Sequence, residues 1–444
     1  MTARETTMPD PERPLSRARE QAEEALLETP RPHPGALPPG PGIFANRPFV
    51  WLMISFAVSQ LGFWAFYLGV VGEAGYRFRA TPFQLAVLFS AFSVGFIPLT
   101  VPFGMVVDRW SPKLTMLLGT LAAATGVAVA LAARSVAWLD VAFFLDGVGA
   151  AMAIPARGSL TGLLVEESAL VRANGTLNSA SMLAVIVGPG VAAVLEAGKR
   201  FDPSIYWYAL ATIAVGGALG LLIPDRRADP APGPGFAAEI AGGFRVAWLA
   251  PELRRLLFLS GAAYLFTTVL VAFEPLFVRE VLHRGVDVLG FLWAAHGVGA
   301  FAGAAALARS RRASGREVPL IGASLVVAGV GFLAYVGTGS LEVAVAGTAV
   351  LGIGFAWYLS LSQALIQRVA AEDLRGRVTG VVGMLQEAAG LGCALLLAAI
   401  GTLVTRVQPY LVWSAVALVA SGILGLRGAR RFRPVTAGPP DADA

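Results

Sequence analysis

Three acidic residues, Asp146, Glu274 and Glu387, stand inside long apolar segments of the sequence. A charge in hydrocarbon is costly, so such a carboxylate usually faces a cavity or a partner. A carboxyl group in apolar surroundings also holds a proton more readily than it does in water. We therefore predict that these three residues bind and release protons. Two alternatives stay open: Glu274 could form a gate salt bridge with the nearby Arg279, and the other two acids could pair with bases such as Arg157.

Aromatic and polar residues recur on single helix faces within the same apolar segments. Gln60, Trp64 and Tyr67 are spaced i, i+4 and i+7, which places them on one side of a helix. The residues predicted to line a binding cavity are Gln60, Trp64, Tyr67, Asn174, Asn178, Tyr264, Trp293, His296, Trp357, Tyr358 and Gln386. The alternative for the tryptophans and tyrosines is a place at the membrane–water interface, where both residue types concentrate.

The composition places these residues in a membrane protein. Hydrophobic residues make up 56% of the chain, charged residues make up 14%, and the mean hydropathy is +0.67, whereas soluble domains carry roughly 25% charged residues. The bases behind the net charge of +5 interrupt the apolar segments instead of clustering in one domain, so nucleic acid is not an expected partner. A single cysteine, Cys393, and three scattered histidines argue against a disulfide framework and a metal site, and no cofactor is expected.

Twelve apolar runs are long enough to cross about 30 Å of hydrocarbon. The predicted spans are residues 48–72, 82–106, 113–133, 137–157, 173–196, 204–223, 254–278, 286–308, 318–337, 342–366, 377–400 and 407–427. An even number of spans places both termini on the same side. With that side in the cytoplasm, the outer loops hold only 8 of the 34 lysines and arginines. This bias predicts cytoplasmic termini and a multi-pass protein of the inner or plasma membrane.

The chain divides around one long connection. The predicted parts are a disordered cytoplasmic tail at 1–46, a six-helix bundle at 47–223, a cytoplasmic linker with an interfacial helix at 224–253, a second six-helix bundle at 254–428 and a cytoplasmic tail at 429–444. The proline-rich first segment has no apolar period that could bury a core. An offset of 205 residues aligns Glu167 with Glu372 and Arg172 with Arg377. This repeat predicts two similar bundles around a central site.

A charged turn between the second and third spans carries a known pattern. Gly104-Met-Val-Val-Asp108-Arg109-Trp-Ser-Pro-Lys113 resembles the Gly-x-x-x-Asp-Arg-x-x-x-Lys signature of the major facilitator superfamily. Segments 155–189 and 363–380 resemble the branch of that superfamily that contains the enterobactin exporter and the macrolide efflux proteins. The resemblance covers about residues 46–428. It implies an all-α membrane protein whose twelve transmembrane helices form two pseudo-symmetric six-helix bundles.

The resemblance also implies a conformational latch. Its residues are Gly104, Asp108, Arg109, Lys113, Arg375 and Arg377. Asp108 would meet the start of the eleventh helix, where the positive end of the helix dipole favours an anion. The latch would hold the two bundles together when the cytoplasmic side is closed. The alternative is that the acid and its neighbouring bases only set membrane topology.

The fifth span follows the pattern that marks antiporters in the same superfamily, with alanine in place of some glycines. Gly175, Gly188 and Pro189 are its main residues. Small residues allow helices to approach closely, and a proline bends the helix, so the span is predicted to be hinged. Ordinary small-residue packing is the alternative.

Two residues depart from the pattern of the branch. The first span has Gly62-Phe63-Trp64 where many relatives have Gly-Asp-Trp, so an acid suited to cation recognition is missing there. The base that many antiporters of the superfamily carry on the fourth helix is also missing, because Phe143 stands at that position.

The function expected from these features is secondary active transport. The chain resembles a proton-coupled exporter of small hydrophobic or amphiphilic molecules, of the drug or siderophore type, that works by alternating access. Its expected partners are a small-molecule substrate, protons and the lipid bilayer, and it is expected to act as a monomer and not as an enzyme. No nucleotide-binding loop is present that would suggest another energy source. The alternatives are uptake of a small nutrient on the same fold, or a non-transporting membrane sensor.

Overall fold

The computed structural model describes residues 43–109, 111–166, 169–197, 201–226, 236–309, 316–370 and 374–429, and these ranges contain helices and no β-strand. The helices before the linker are α1 (Arg47–Gly72), α2 (Pro82–Arg109), α3 (Pro112–Leu131), α4 (Val136–Leu164), α5 (Leu170–Leu195) and α6 (Ser204–Gly220). The linker contains α7 (Phe236–Leu249). The later helices are α8 (Pro251–Glu280), α9 (Val286–Ala308), α10 (Glu317–Val336), α11 (Leu341–Val369), α12 (Arg375–Ile400) and α13 (Gln408–Ala429). Most of the predicted N-terminal tail and nearly all of the C-terminal tail lie outside the described residues.

Eleven of the described helices are long and apolar enough to cross a membrane. The remaining predicted span, the sixth (residues 204–223), corresponds to α6, which is apolar but has 17 residues, so it is about 25 Å long. The helix ends differ from the predicted span bounds by a few residues, and the largest difference is in the fourth span, which was expected to end at residue 157 whereas α4 continues to Leu164. The guanidinium of Arg157 lies 4.0 Å from the centre of the Phe56 ring, a cation–π distance.

The two halves pack by one scheme. In the N-terminal half (residues 47–220), α1 packs on α5 and α6, α2 packs on α4, and α3 packs on α4 and α6. In the C-terminal half (residues 251–429), the equivalent helices repeat each of these pairs: α8 with α12 and α13, α9 with α11, and α10 with α11 and α13. The halves meet through α2 with α12 and through α5 with α9, which are also equivalent pairs. The repeat seen in the sequence is therefore a repeat of helix packing.

Glycines set the closest helix approaches within each half. A Cβ at Gly147 would collide with the carbonyl oxygen of Phe92 where α4 meets α2, and a Cβ at Gly299 would collide with that of Ala349 where α9 meets α11. Backbones that approach this closely gain dispersion contacts that lipid cannot replace.

The halves touch at one end of the bundle, which we call the closed end. There a Cβ at Gly75 would lie 2.8 Å from Cβ of Pro275, and one at Gly72 would lie 2.5 Å from Cγ2 of Val286. The guanidinium of Arg279 donates a hydrogen bond to the carbonyl oxygen of Gly75. These contacts join the last residue of α1 and the helical turn that follows it (Glu73–Arg77) to α8 and α9.

The opposite end, which we call the open end, lacks such approaches among the described residues. Added Cβ atoms at six glycines near this end of α2, α4, α5 and α12 would meet no atom within 4 Å: Gly104, Gly158, Gly162, Gly175, Gly380 and Gly383. The glycine contacts that join the halves among the described residues therefore lie at the closed end and in the middle of the bundle, and these six glycines near the open end face open space.

Candidate functional site

A cavity of about 430 Å³ lies between the two halves, within the size range of small-molecule sites, roughly 300–1,000 Å³. The N-terminal half contributes Phe63, Trp64, Tyr67, Phe89, Phe92, Ser93, Phe143, Met182 and Val185. The C-terminal half contributes Tyr264, Thr267, Thr268, Leu270, Val271, Glu274, Trp293, His296, Ala300, Tyr335, Thr348, Leu351, Phe355, Ala356, Leu359, Gln386, Glu387, Gly390 and Ala394. We call these two sets the N-terminal wall and the C-terminal wall.

The structure brings together eight residues that the sequence singled out. They are Trp64, Tyr67, Tyr264, Glu274, Trp293, His296, Gln386 and Glu387. They come from α1, α8, α9 and α12, which lie far apart in the chain. The helical spacing of Trp64 and Tyr67 turns both rings towards the same space.

The other predicted lining residues lie elsewhere. Gln60 donates from Nε2 to Oγ of Ser181 at 3.1 Å, a bond that joins α1 to α5. Asn174 and Asn178 are exposed in the first turns of α5, near the open end. Trp357 donates from Nε1 to the carbonyl oxygen of Gly303 at 2.8 Å, so it joins α11 to α9.

Tyr358 lies behind the C-terminal wall and is fully buried. Its hydroxyl donates to Oγ of Ser260 at 2.7 Å and accepts from Nε2 of Gln386 at 2.8 Å. The residue therefore positions the side chain of Gln386, which does line the cavity.

Glu274 is fixed in the C-terminal wall by two donors. Its Oε1 accepts from the hydroxyl of Tyr335 at 2.8 Å, and its Oε2 accepts from Nε1 of Trp293 at 2.7 Å. The residue is 4% exposed. Arg279, the base considered as its salt-bridge partner, instead pairs with Glu280 at 2.6 Å. Sequence reasoning missed Tyr335, because its hydroxyl on α10 reaches the carboxylate of Glu274 on α8 only through the packing of the two helices.

Glu387 lines the same cavity without such support. No hydrogen bond or ion pair joins it to any residue of the described ranges. Asp146, the third predicted proton site, is 5% exposed and stands outside the set of lining residues. Its backbone lies against Gly126 of α3, where an added Cβ would be 3.5 Å from the nitrogen of Asp146. The three acids thus have three different environments.

Aromatic rings connect the two walls. The ring centroid of Trp293 lies 5.7 Å from that of Trp64 and 5.4 Å from that of Tyr67. The ring of Tyr67 also stacks on Phe143 at 5.7 Å. The Nε1–H group of Trp64 is buried and has no hydrogen-bond partner among the described residues. Sequence reasoning found Trp64 and Tyr67 but did not assign Phe143 to the lining.

The wall chemistry is strongly one-sided in charge. Among the described residues that line the cavity, there are two glutamates and neither a lysine nor an arginine. Phe143, which occupies the position where many antiporters of the resembled superfamily have a base, lies in the N-terminal wall. Within the described ranges, no group of three or more His, Cys, Asp or Glu residues is arranged to hold a metal ion.

The closed end holds an ion pair between a buried acid and a half-exposed arginine, which sequence reasoning missed. Glu73 is fully buried and accepts hydrogen bonds from Arg77 and from the hydroxyl of Tyr206, the latter at 2.7 Å. The i, i+4 spacing of the acid and the base was a signal that could have found this pair. The tyrosine comes from α6 and could not be assigned in this way.

A second buried acid at the closed end is Glu196, which follows the last residue of α5. It is fully buried, and neither carboxylate oxygen makes a hydrogen bond of normal geometry to a described residue. A Cβ at Gly72 would lie 4.0 Å from its Oε2, which places the carboxylate beside the contact between the halves. Burial raises the pKa of Glu196 to about 8; the charges of Asp202, Asp287 and Glu73 act in the same direction, and the backbone of Asp202 opposes them.

The predicted latch is only partly described. The side chains of Asp108 and Arg109 lie outside the described residues, although α2 continues through both positions. Lys113 donates to the carbonyl oxygen of Leu221 at 2.7 Å, and Arg375 donates to that of Ala370 at 3.3 Å. Arg377 lies against α7, where a Cβ at Gly243 would be 2.9 Å from its carbonyl oxygen. The latch stays a prediction.

The predicted hinge lies beside the cavity. A Cβ at Gly188 would be 2.8 Å from Cβ of Trp64, so α5 and α1 approach closely behind this lining residue. Pro189 lies inside α5, and its carbonyl oxygen would be 2.9 Å from a Cβ at Gly290 of α9. Gly175, by contrast, has no such neighbour near the open end.

Comparison with known proteins agrees with this architecture. The profile of the Major Facilitator Superfamily matches residues 52–392. The uncharacterized MFS-type transporter YfiS of Bacillus subtilis (strain 168) is 24% identical over 358 residues, which cover 77% of this chain and 84% of that protein. The branch suggested by segments 155–189 and 363–380 is not confirmed by these matches.

Two solved structures share the fold. A bacterial homologue of the human lysosomal transporter Spinster, in an inward-facing and unoccupied conformation, has a TM-score of 0.68 and 15% identity, with 89% of this chain and 100% of that chain covered. The nucleoside transporter NupG has a TM-score of 0.70 and 12% identity, with 87% of this chain and 100% of that chain covered. With the profile match over most of the chain, the helix count and the repeated packing, the chain belongs to the Major Facilitator Superfamily and is a multi-pass membrane transporter rather than an enzyme.

Proposed function

We propose that the chain is a proton-coupled exporter of small hydrophobic or amphiphilic molecules, of the drug or siderophore type, and that it works as a monomer by alternating access. The observation that carries this proposal is the aromatic cavity between two halves that touch at the closed end and part at the open end. A cargo that enters such a cavity from the open end leaves by the other side when the contacts are exchanged.

The contacts at the closed end suit this exchange. Gly75 against Pro275 and Gly72 against Val286 are contacts between small or rigid residues, and the hydrogen bond from Arg279 to the carbonyl oxygen of Gly75 would break when the halves separate. At the open end, the proposed latch would form when the halves close there, with Asp108 meeting the start of α12. The position of α7 against Arg377 would make the linker helix sensitive to the same movement.

Proton coupling is supported by the acids in and near the cavity. Glu274 and Glu387 line it, and Asp146 is buried outside it. A carboxylate without a charged partner in an apolar environment gains stability by taking up a proton, so its protonation differs between a hydrated and a dry state of the cavity. Glu274, which has two hydrogen-bond donors, is our first choice for a group whose proton affinity changes when those donors move.

Three parts of the proposal rest on sequence features: the direction of transport, the cytoplasmic position of the termini and the location in a cell membrane. The resemblance of segments 155–189 and 363–380 to efflux proteins, and the antiporter-like α5, favour export. The distribution of bases favours cytoplasmic termini, and this topology makes the open end cytoplasmic. A cell membrane, inner or plasma, is the proposed location.

The test uses the full-length protein purified in an uncharged detergent and then reconstituted in liposomes. A panel of aromatic amphiphiles is scored by thermal stabilisation, and the best ligand is followed across the membrane under an imposed pH gradient. We expect the gradient to drive uphill movement of the ligand. We expect Glu274→Gln to remove the dependence on pH, and Glu342→Gln, the same chemical change at an exposed helix start, to keep it.

Two outcomes would contradict the proposal. Unchanged pH dependence in Glu274→Gln removes that residue from the coupling mechanism. Absence of movement for every ligand that stabilises the protein overturns the transport of amphiphiles.

Uptake of a small nutrient on the same fold is the alternative, and the structural similarity to the nucleoside transporter NupG gives it a specific basis. Flux in inverted membrane vesicles separates the two directions. An exporter accumulates its cargo inside such vesicles, whereas an uptake transporter empties them.

A further inference from the structure

We infer that the cargo of this cavity is an aromatic organic cation, held between the rings of the N-terminal wall and the carboxylate of Glu387. This inference rests on the proposed function, because it assigns the chemistry of the same cavity.

The first step is the charge balance of the cavity. Its described lining contains the carboxylates of Glu274 and Glu387, the imidazole of His296 and neither a lysine nor an arginine. Buried carboxylates are stable when a cation or hydrogen-bond donors compensate them. A cationic cargo supplies that compensation, whereas an anionic cargo would add a further uncompensated charge.

The second step separates the two acids. Glu274 has a donor on each oxygen, from Tyr335 at 2.8 Å and from Trp293 at 2.7 Å. Glu387 has neither a hydrogen bond nor an ion pair with any described residue. Its carboxylate is therefore the one available to a ligand.

The third step is the space beside Glu387. Gly390 and Ala394 follow it at i+3 and i+7, so the three residues share the face of α12 that lines the cavity. Both neighbours are small. A Cβ at Gly390 would have its nearest neighbour, Oγ1 of Thr268, at 3.3 Å. These small residues leave space next to the carboxylate of Glu387, so a bulky cation can approach that carboxylate.

The fourth step is the opposite wall. Tyr67 stacks on Phe143 with centroids 5.7 Å apart, and Phe89 lies 6.0 Å from Tyr67. Trp64 extends this cluster towards Trp293 at 5.7 Å. The negative faces of such rings attract cations, and their area suits aromatic substituents. Since no base interrupts this cluster, the aromatic wall adds to the preference for a cation.

The experiment compares two probe ions of the same shape and opposite charge, tetraphenylphosphonium and tetraphenylborate. Binding to the full-length protein in an uncharged detergent is measured by quenching of tryptophan fluorescence and by thermal stabilisation. We expect the cation to bind at least about tenfold more tightly than the anion, and Glu387→Gln to weaken cation binding by about tenfold or more. Glu387→Asp keeps the charge and is expected to keep the preference for the cation. Glu342→Gln is the matched control and is expected to bind both ions as the wild type does.

Equal or tighter binding of the anion overturns the inference, as does unchanged cation binding in Glu387→Gln. If only a neutral amphiphile binds and is transported, the cationic class is wrong while the exporter proposal stands. If no amphiphile of any charge is transported, the exporter proposal itself fails.

Discussion

The N-terminal and C-terminal walls of the cavity differ in chemistry, although four pairs of equivalent helices build most of both walls and only α10 lacks a counterpart in the N-terminal wall. The N-terminal wall is aromatic and apolar and contains no acid, and the C-terminal wall contains both lining glutamates. The N-terminal half has buried acids too, but Glu73 and Glu196 lie at the closed end, and Asp146 lies outside the lining. The repeat thus preserves backbone packing, while the placement of buried charge has diverged between the halves.

This difference shows which features the two halves share and which differ between them: the helix packing is the same, and the placement of buried carboxylates is not. Helix packing depends on small residues at the contacts, such as Gly147 and Gly299, which occupy equivalent helix pairs. A buried carboxylate depends on its local donors, and these come from other helices in each half. Glu73 receives Tyr206 from α6, whereas Glu274 receives Tyr335 from α10.

The largest effect is expected for Glu274→Ala, compared with Glu387→Ala. The first change removes the acceptor of both Tyr335 and Trp293, so it is expected to lower the free energy of unfolding by about 2–4 kcal/mol. The second change leaves no hydrogen-bond donor without an acceptor among the described residues, so it is expected to lower the free energy of unfolding by less than about 1 kcal/mol. Unfolding in detergent, followed by circular dichroism, measures both. Equal losses would show that the two acids of the C-terminal wall are not held differently.

A matched pair of tryptophans compares the walls directly. Trp293→Phe keeps an aromatic side chain but loses part of the ring area and the N–H donor to Glu274, so a loss of at least about 1.5–3 kcal/mol in unfolding free energy is expected. Trp64→Phe loses the same ring area but removes an N–H group that has no described partner, so a loss smaller than that of Trp293→Phe by about 1 kcal/mol or more is expected. The same unfolding assay applies. The structure shows a hydrogen-bonded tryptophan in the C-terminal wall and a tryptophan without a described hydrogen-bond partner in the N-terminal wall. A larger loss for Trp64→Phe than for Trp293→Phe would contradict this contrast.

The buried acids of the N-terminal half predict a pH dependence of the closed end. Burial raises the pKa of Glu196 to about 8 in this conformation, and hydration on opening would return it towards the usual value of about 4.3. The closed form therefore binds the proton more tightly, so it is favoured at low pH and loses that advantage as pH rises to about 8. Between these values, the ratio of closed to open forms is expected to fall up to about tenfold per pH unit.

Spin labels at Arg79→Cys and Arg284→Cys, in a Cys393→Ala background, would report the separation of the two halves at that end. The distance is expected to increase with pH in this parent. With Glu196→Gln added, it is expected to stay short up to pH values of about 9. An unchanged pH response in that variant would remove Glu196 from the gate.

The smallest effect is expected for single rings of the N-terminal wall. Phe89→Leu keeps an apolar side chain but removes one member of the cluster around Tyr67, which predicts a loss of about 0.5–1.5 kcal/mol in the binding of an aromatic ligand. Leu395→Ala, at a position exposed on the outside of α12, is the control. Isothermal titration with the best ligand of the panel measures the difference. An effect as large as that of a lining acid would mean that the N-terminal wall contributes more than packing area.

The sequence predicted the positions of the helices better than it predicted which residues of each helix face the cavity. Apolar runs located the spans, since a helix in lipid must satisfy its own backbone hydrogen bonds whatever its neighbours are. The cost of charge in hydrocarbon likewise singled out Glu274 and Glu387. Helical spacing placed Gln60 with Trp64 and Tyr67, but only the last two line the cavity, because the bond to Ser181 turns Gln60 towards α5. Trp357 and Tyr358 failed as lining residues for the same kind of reason, as each is held by a partner on another helix.

The sequence by itself determined the membrane class, the helices, the superfamily and two of the acids in the cavity, because hydropathy, charge and short motifs are local properties. Only the tertiary structure decided that Glu274 and Glu387 line the cavity whereas Asp146 does not, that Tyr335 and Trp293 hold Glu274, and that Glu196 is buried beside the contact between the halves. Those facts depend on residues far apart in the chain that meet only when the two bundles pack. These contacts therefore cannot be read from the order of residues in the sequence.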